Sequence, residues 1–172
     1  MTDKLLVPNQ FQYSPFYKEG DEIEKNSIDQ EIIRDNSYFA YDICACLKVS
    51  LPYEPWQSPQ CSIKRISAAW KEEGQELLKE CFQNRDRKTA RPIMLQYTSL
   101  YIQAMFWANS HAVETLENIP SQLNEFSYSP MNIQERISFV LDSPDHYHAF
   151  TTLDQLYQES MKKWAVYFTK KH

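Results

Sequence analysis

The stretch "TARPIMLQYTSLYIQAMFWAN", Thr89 to Asn109, is the most apolar run of the chain. Ile93, Tyr97, Leu100, Ala104 and Trp107 recur at spacings of three and four, and Met94, Tyr101, Met105 and Ala108 widen the stripe. A helix apolar over so much of its circumference belongs at the centre of a helical fold. The spacing predicts this helix over about 91–109, with Pro92 tolerated in its first turn. N-terminal to it, "SPQCSIKRISAAWKEEGQELLKECFQNRD" has Ser58 as a cap, Pro59 at the first helical position and a stripe of Ile63, Ile66, Trp70, Gly74, Leu77 and Cys81. That predicts an amphipathic helix over about 59–84. C-terminal to it, Tyr147, Phe150, Leu153, Tyr157, Met161, Trp164 and Phe168 mark a third long helix over about 145–168. These two flank the first.

Shorter elements fill the gaps. "HAVETLEN" predicts a short helix, followed by a loop at "IPSQLNEFSYSP". "NIQERISFVLD" opens with Asn132 and places Glu135 three residues on, the spacing of a capping box; Met131 and Arg136 stand at the positions of a hydrophobic staple, but Arg136 is not apolar, so only half the motif is supported. "NSIDQEIIRDNSYFAYDICACLKVS" begins with a cap-type Asn26 or Ser27, and Ile28, Ile32, Tyr38, Tyr41 and Leu47 suit helical faces. Residues 1–25 read as an extended arm, broken by Pro8 and Pro15, with Phe11, Tyr13, Phe16 and Tyr17 to hold it on the body. The expectation is an all-α, compact single-domain bundle of about six or seven helices over 26–172, with that extended N-terminal arm across it.

Composition sets the function classes. The chain has 172 residues, 42% of them hydrophobic and 14% aromatic, enough for one well-packed core. It has 2 glycines, too few for a fold of strands and tight turns or for a phosphate-cradling loop. A net charge of −5 disfavours nucleic acid as a partner, and no apolar run reaches the roughly 20 residues that span a membrane. Cys44, Cys46, Cys61 and Cys81 lie in helical segments and read as reduced thiols of a cytoplasmic protein.

Candidate chemistry is sparse. In "SPDHYHAF" (143–150), Ser143, Pro144 and Asp145 form a helix start, so His146 and His148 sit about 200° apart around a helix and cannot share a metal ion. Cys44 and Cys46 lack zinc-ligand spacing, and no Glu-x-x-His occurs. Neither a metal, a cofactor nor a catalytic set is expected. Arg85, Arg87, Lys88 and Arg91 concentrate positive charge between two helices; they either complement the end of the first or hold a phosphate or nucleic-acid backbone. If the lysines of "MKKW" and "TKKH" meet that patch, the second reading gains. Arg136, beside Asn132, Glu135 and Pro144, either lies on the helix face opposite Ile133 and Ile137 or tucks under the 143–147 turn to bind its carbonyls; buried with a carboxylate it makes a clasp at a helical corner, and exposed it forms part of a recognition surface. Tyr13, Phe16, Tyr17, Tyr53 and Trp56 are the expected contact surface for an unidentified protein partner. The leading expectation is therefore a non-enzymatic interaction module, and the alternative an anion-binding accessory protein.

The segment "SPMNIQERISFVLDSPDHYHAFTTLDQLYQESMKKW" (129–164), preceded by "MFWAN", resembles the C-terminal half of the YpoC-like proteins of Bacillus-type bacteria. Asn132, Glu135, Arg136, Phe139, Pro144, Tyr147, Ala149, Phe150, Leu153, Leu156 and Glu159 carry the pattern, and the likeness spans about residues 90–165. It implies no activity, cofactor or catalytic residue.

Overall fold

A computed structural model describes residues 4–25 and 37–170. The central helix is α4 (Arg87–Trp107), in which every residue from Met94 to Trp107 is buried. It begins a turn earlier than the apolar stripe because Asp86 caps it, accepting from the Thr89 amide at 3.1 Å. Pro92 therefore lies beyond the first turn, on an exposed side where the lost amide bond at Lys88 faces water.

Two long rods pack on α4. One is α2 (Pro59–Ala69) running into α3 (Gln75–Gln83) through a π-helical turn, Trp70–Gly74. The extra residue of that turn rotates the inner face by one position. Leu78 is 0% exposed, whereas Leu77, which the helical spacing placed inside, is 40% exposed. Gly74 is required here: a Cβ would sit 2.9 Å from Trp70 Cε3 and 2.9 Å from Tyr97 Cζ. The other rod is α7 (Tyr147–Lys170). Trp70 stacks on its Tyr157, centroids 4.6 Å apart, and Trp70 Nε1 donates to its Asp154 at 3.0 Å. Tyr157 donates to the Tyr97 carbonyl at 2.5 Å, and Tyr101 and Ser160 share a hydrogen bond of 2.7 Å. Tyr147, placed on the inner stripe by its spacing, is 56% exposed because the stripe reaches the protein's edge there.

The remaining elements are α1 (Ala40–Cys46), α5 (Ile119–Asn124) and α6 (Ile133–Asp142). Among the described residues these helical segments form six rods. The helix expected at 111–118 is absent and α5 occupies the segment expected to be a loop. The reason is hydrogen bonding. Val113 N–H goes to Asp42 and Leu116 N–H to the Gln10 carbonyl, so tertiary partners take the amides a helix would have used. The proposed cap Asn26 or Ser27, with Ile28 and Ile32, lies outside the described residues.

The N-terminal arm is folded rather than extended. β1 (Lys4–Leu6) pairs antiparallel with β2 (Glu22–Glu24), Leu5 opposite Ile23, and closes the loop between them. Phe11, Phe16, Tyr17 and Ile23 enter the common core, and Phe16 meets Phe39 edge-on at 5.0 Å.

Candidate functional site

Asp42, in the first turn of α1, is the one carboxylate among the described residues in the fully buried polar group of the core, at 1% exposure. Its Oδ2 accepts from Gln103 Nε2 at 2.7 Å; its Oδ1 accepts from Trp107 Nε1 at 3.0 Å and from the Val113 amide at 2.7 Å. These bonds tie α1 to the end of α4 and to the irregular segment that follows it. Burial pushes the Asp42 carboxyl up to about 6, against the three N–H donors that pull it down.

Asp42 forms the base of a cleft of about 700 Å³. Cys46 and Trp56 line it, together with Glu54, His111 and Glu114 nearer the mouth. Gln10, pinned to the 115–116 wall through its carbonyl, closes one side. The described lining residues include three carboxyl groups and neither lysine nor arginine. A site of that make-up attracts a cation. Burial and the Glu114 charge push the Cys46 thiol up, away from the thiolate form a nucleophile needs. Among the described residues no three of His, Cys, Asp and Glu converge as a metal site.

Sequence reasoning missed Asp42 and Glu54; it saw Glu114 only through the spacing of three from His111, which could share a metal on a helix but lacks the Glu-x-x-His order of a di-iron bundle. A single aspartate inside "FAYDICAC" was the available signal, since an acid amid apolar neighbours must find buried donors. Nothing in the sequence signalled that Glu54 and Glu114 meet, because they come together only in the folded chain.

The residues singled out in sequence fare unevenly. Of the expected contact aromatics, Phe16, Tyr17 and Trp56 are buried. Tyr17 donates to the Tyr38 carbonyl at 2.9 Å, and Trp56 packs on Trp107. Only Tyr13 and Tyr53 keep substantial exposure, so these five do not form a contact surface. The arm folds inward because the apolar area it covers outweighs what exposed rings would gain.

Arg85 closes α3 in the left-handed region, φ 55°, and Arg87, Lys88 and Arg91 lie on the first turns of α4, so the patch is not confined to an interhelical loop. All four are exposed. The chain supplies its own anions there. Asp86, held low by the hydroxyl and amide of Thr89, occupies the amide end of α4. Arg87 pairs with Asp145 at 3.1 Å and donates to its carbonyl at 3.2 Å. The "MKKW" lysines do not join the patch: Lys162 is 15 residues along α7 from Tyr147, about 22 Å at about 1.5 Å per residue.

Asn132 adopts φ 59° and makes no side-chain cap, so the capping box with Glu135 does not form; Met131 is 77% exposed, and no staple accompanies it, as its pairing with Arg136 implied. A left-handed residue aims its side chain away from the first turn, whereas capping needs an extended backbone. Arg136 does make a clasp, but with α7 rather than with the 143–147 turn. It binds both carboxylate oxygens of Glu159, one at 3.1 Å, and the Met131 carbonyl at 2.9 Å. That pairing holds the Glu159 carboxyl below its usual range. Pro144 is buried in the turn, where the Ser143 carbonyl accepts from the His146 amide at 3.1 Å, and the helix starts only at Tyr147. His146 and His148 are exposed.

No helix among the described residues is long and apolar enough to cross a membrane. A family model described as "YpoC-like protein" matches residues 60–172. The chain is 27% identical over 146 residues, 84% of its own length and 85% of the relative's, to "Uncharacterized protein YpoC" of Bacillus subtilis (strain 168). No solved structure matches.

Proposed function

The chain belongs to the YpoC-like family, and we propose that it is a non-enzymatic, cytoplasmic protein-interaction module whose cleft at Asp42, Glu54 and Glu114 receives a lysine or arginine side chain of a protein partner. One observation carries this reading: a cleft of about 700 Å³ walled by three carboxyl groups with no cation among its described lining residues. The aliphatic stem of such a side chain would run over Trp56 and Ala45, and its head would reach the carboxylates. A buried base held by three hydrogen bonds keeps the wall rigid, which limits the entropy lost on binding. Burial and the Glu114 charge keep the Cys46 thiol away from the thiolate form, which supports a binding role for the cleft over a nucleophilic one.

The test compares the chain with a Glu54→Gln/Glu114→Gln variant. Both are titrated with short peptides carrying one central lysine or arginine, and with the same peptides carrying norleucine. Preference for the basic peptides, lost by about tenfold or more in the variant and with rising salt, is the expected result. Equal binding of basic and norleucine peptides, or an unaffected variant, overturns the reading.

A further inference from the structure

The C-terminal half of α7 carries a second surface of opposite sign, independent of the acidic cleft. Lys163, Val166, Tyr167 and Lys170 fall at spacings of three and four and so share one helical face, with Lys162 beside them. This face borders a groove of about 480 Å³, completed by Ser127 and Tyr128. The three lysines are exposed and Val166 is 54% exposed.

The floor of the groove presents carbon. Tyr128 donates its hydroxyl inward to the Met105 carbonyl at 2.5 Å, and Tyr167 donates to Asn109 Oδ1 at 3.0 Å. The two rings meet edge-on, centroids 4.7 Å apart. With both hydroxyls committed, the groove offers apolar surface between ammonium groups.

The positive charge here exceeds what α7 balances. Glu159, whose carboxylate accepts from Arg136 and also feels Lys162 and Lys163, is the last aspartate or glutamate of α7. Lysines often complement the carbonyl end of a helix, and Lys170 lies in that last turn. Lys162 and Lys163 stand about two turns before it, beyond the range of that effect. A strip of three lysines, served by one carboxylate that Arg136 already holds, calls for an anionic occupant.

We propose that this groove docks an acidic segment of a protein partner, with an apolar side chain on Val166, Tyr167 and Tyr128 and flanking carboxylates on Lys162, Lys163 and Lys170. The geometry favours a peptide over nucleic acid. Tyr128 is 5% exposed, too little for a base to stack on its ring. The net charge of −5 also repels a long polyanion. From Lys162 to Lys170 the strip runs about 12 Å along the helix, the length of about four extended residues.

The experiment selects a displayed library of random seven-residue peptides on the immobilised full chain. Peptides enriched in aspartate or glutamate around an apolar residue are expected. Their affinity should fall about tenfold or more in Lys163→Glu/Lys170→Glu and in Val166→Asp, and persist in Lys163→Arg/Lys170→Arg. All these positions are exposed, and circular dichroism of each variant checks that it folds. The Glu54→Gln/Glu114→Gln variant should keep full affinity for these peptides, which separates this groove from the cleft. Failure to select any peptide, selection without acidic enrichment, or undiminished binding to the charge-reversed variant overturns the proposal. So does a single-stranded oligonucleotide that displaces the selected peptides and binds more tightly than they do.

Discussion

Replacing Asp42 with asparagine should remove a pH dependence of stability that the wild-type chain carries. The carboxyl is pushed up to about 6 in the folded protein from its usual 3.8. The folded state therefore binds the proton more tightly than the unfolded state does. The stabilisation this gives is fully present below the unfolded value and is lost as pH rises through about 6. Integrating the proton linkage between those two values gives about 2.5 kcal/mol between pH 4 and pH 7. Asparagine has nearly the same shape and does not titrate. Its carbonyl can accept from Trp107 and Val113, and Gln103 can turn its amide to accept from the new NH2 group. Urea unfolding of both proteins at pH 4, 5, 6 and 7, followed by tryptophan fluorescence, isolates this one group from every other titrating residue. The stability gap, wild type minus variant, should shrink by about 2.5 kcal/mol from pH 4 to pH 7. Asp42→Ala supplies the second reading, since three buried N–H groups then lose their acceptor. At about 1–3 kcal/mol each for unmet buried donors, and after offsetting the removed desolvation, it should fall about 3–6 kcal/mol below wild type. A gap constant across the pH series, or an alanine variant as stable as the asparagine one, would refute the account of Asp42 as a buried, desolvated tie.

The Arg136–Glu159 clasp should behave with the opposite sign. Because Arg136 holds the Glu159 carboxyl low, its contribution is present above the unfolded value and lost as pH falls through the folded one. Glu159 is 42% exposed, so solvent screening limits Glu159→Gln to about 0.5–1 kcal/mol, vanishing in acid; denaturant titrations at pH 7 and pH 3 check this. Gly74→Ala should destabilise by about 1–2 kcal/mol despite alanine's better helix propensity, because the methyl meets two buried rings at 2.9 Å; a higher melting temperature than wild type would contradict it. Tyr101→Phe, which strips the buried Ser160 hydroxyl of its 2.7 Å partner, should cost about 1 kcal/mol by urea unfolding and leave both peptide-binding surfaces unchanged.

The long elements were legible from residue order because each buries a stripe whose period is a local property of the helix. Trp70, Tyr97, Tyr101, Tyr157 and Trp164 all stand in the core where their spacing put them. The π turn escaped that logic. The same residues satisfy a regular helix as far as Gly74, and only the contact of Trp70 with Tyr97 and Tyr157 decides where an extra residue is inserted. Leu77 and Leu78 exchange roles in consequence. The segment after α4 failed for a related reason. Helical spacing was present in "HAVETLEN", but distant acceptors at Asp42 and Gln10 claimed its amides.

By itself, then, the amino-acid order determined that the chain is helical, that the run around Met94–Trp107 is central, and that its C-terminal half resembles one family. Burial of apolar side chains at fixed angular intervals is encoded within a few residues, so no distant partner is needed to read it. Tertiary structure alone decided which aromatics are hidden, that the lysines of α7 stand apart from the arginines at the α3–α4 junction, and that Asp42, Glu54 and Glu114 open into one cleft. Those outcomes depend on which groups meet across many intervening residues. Charge and exposure acquire chemical meaning only through such meetings, because the energy of a carboxylate or an ammonium group is set by its neighbours in space rather than along the chain.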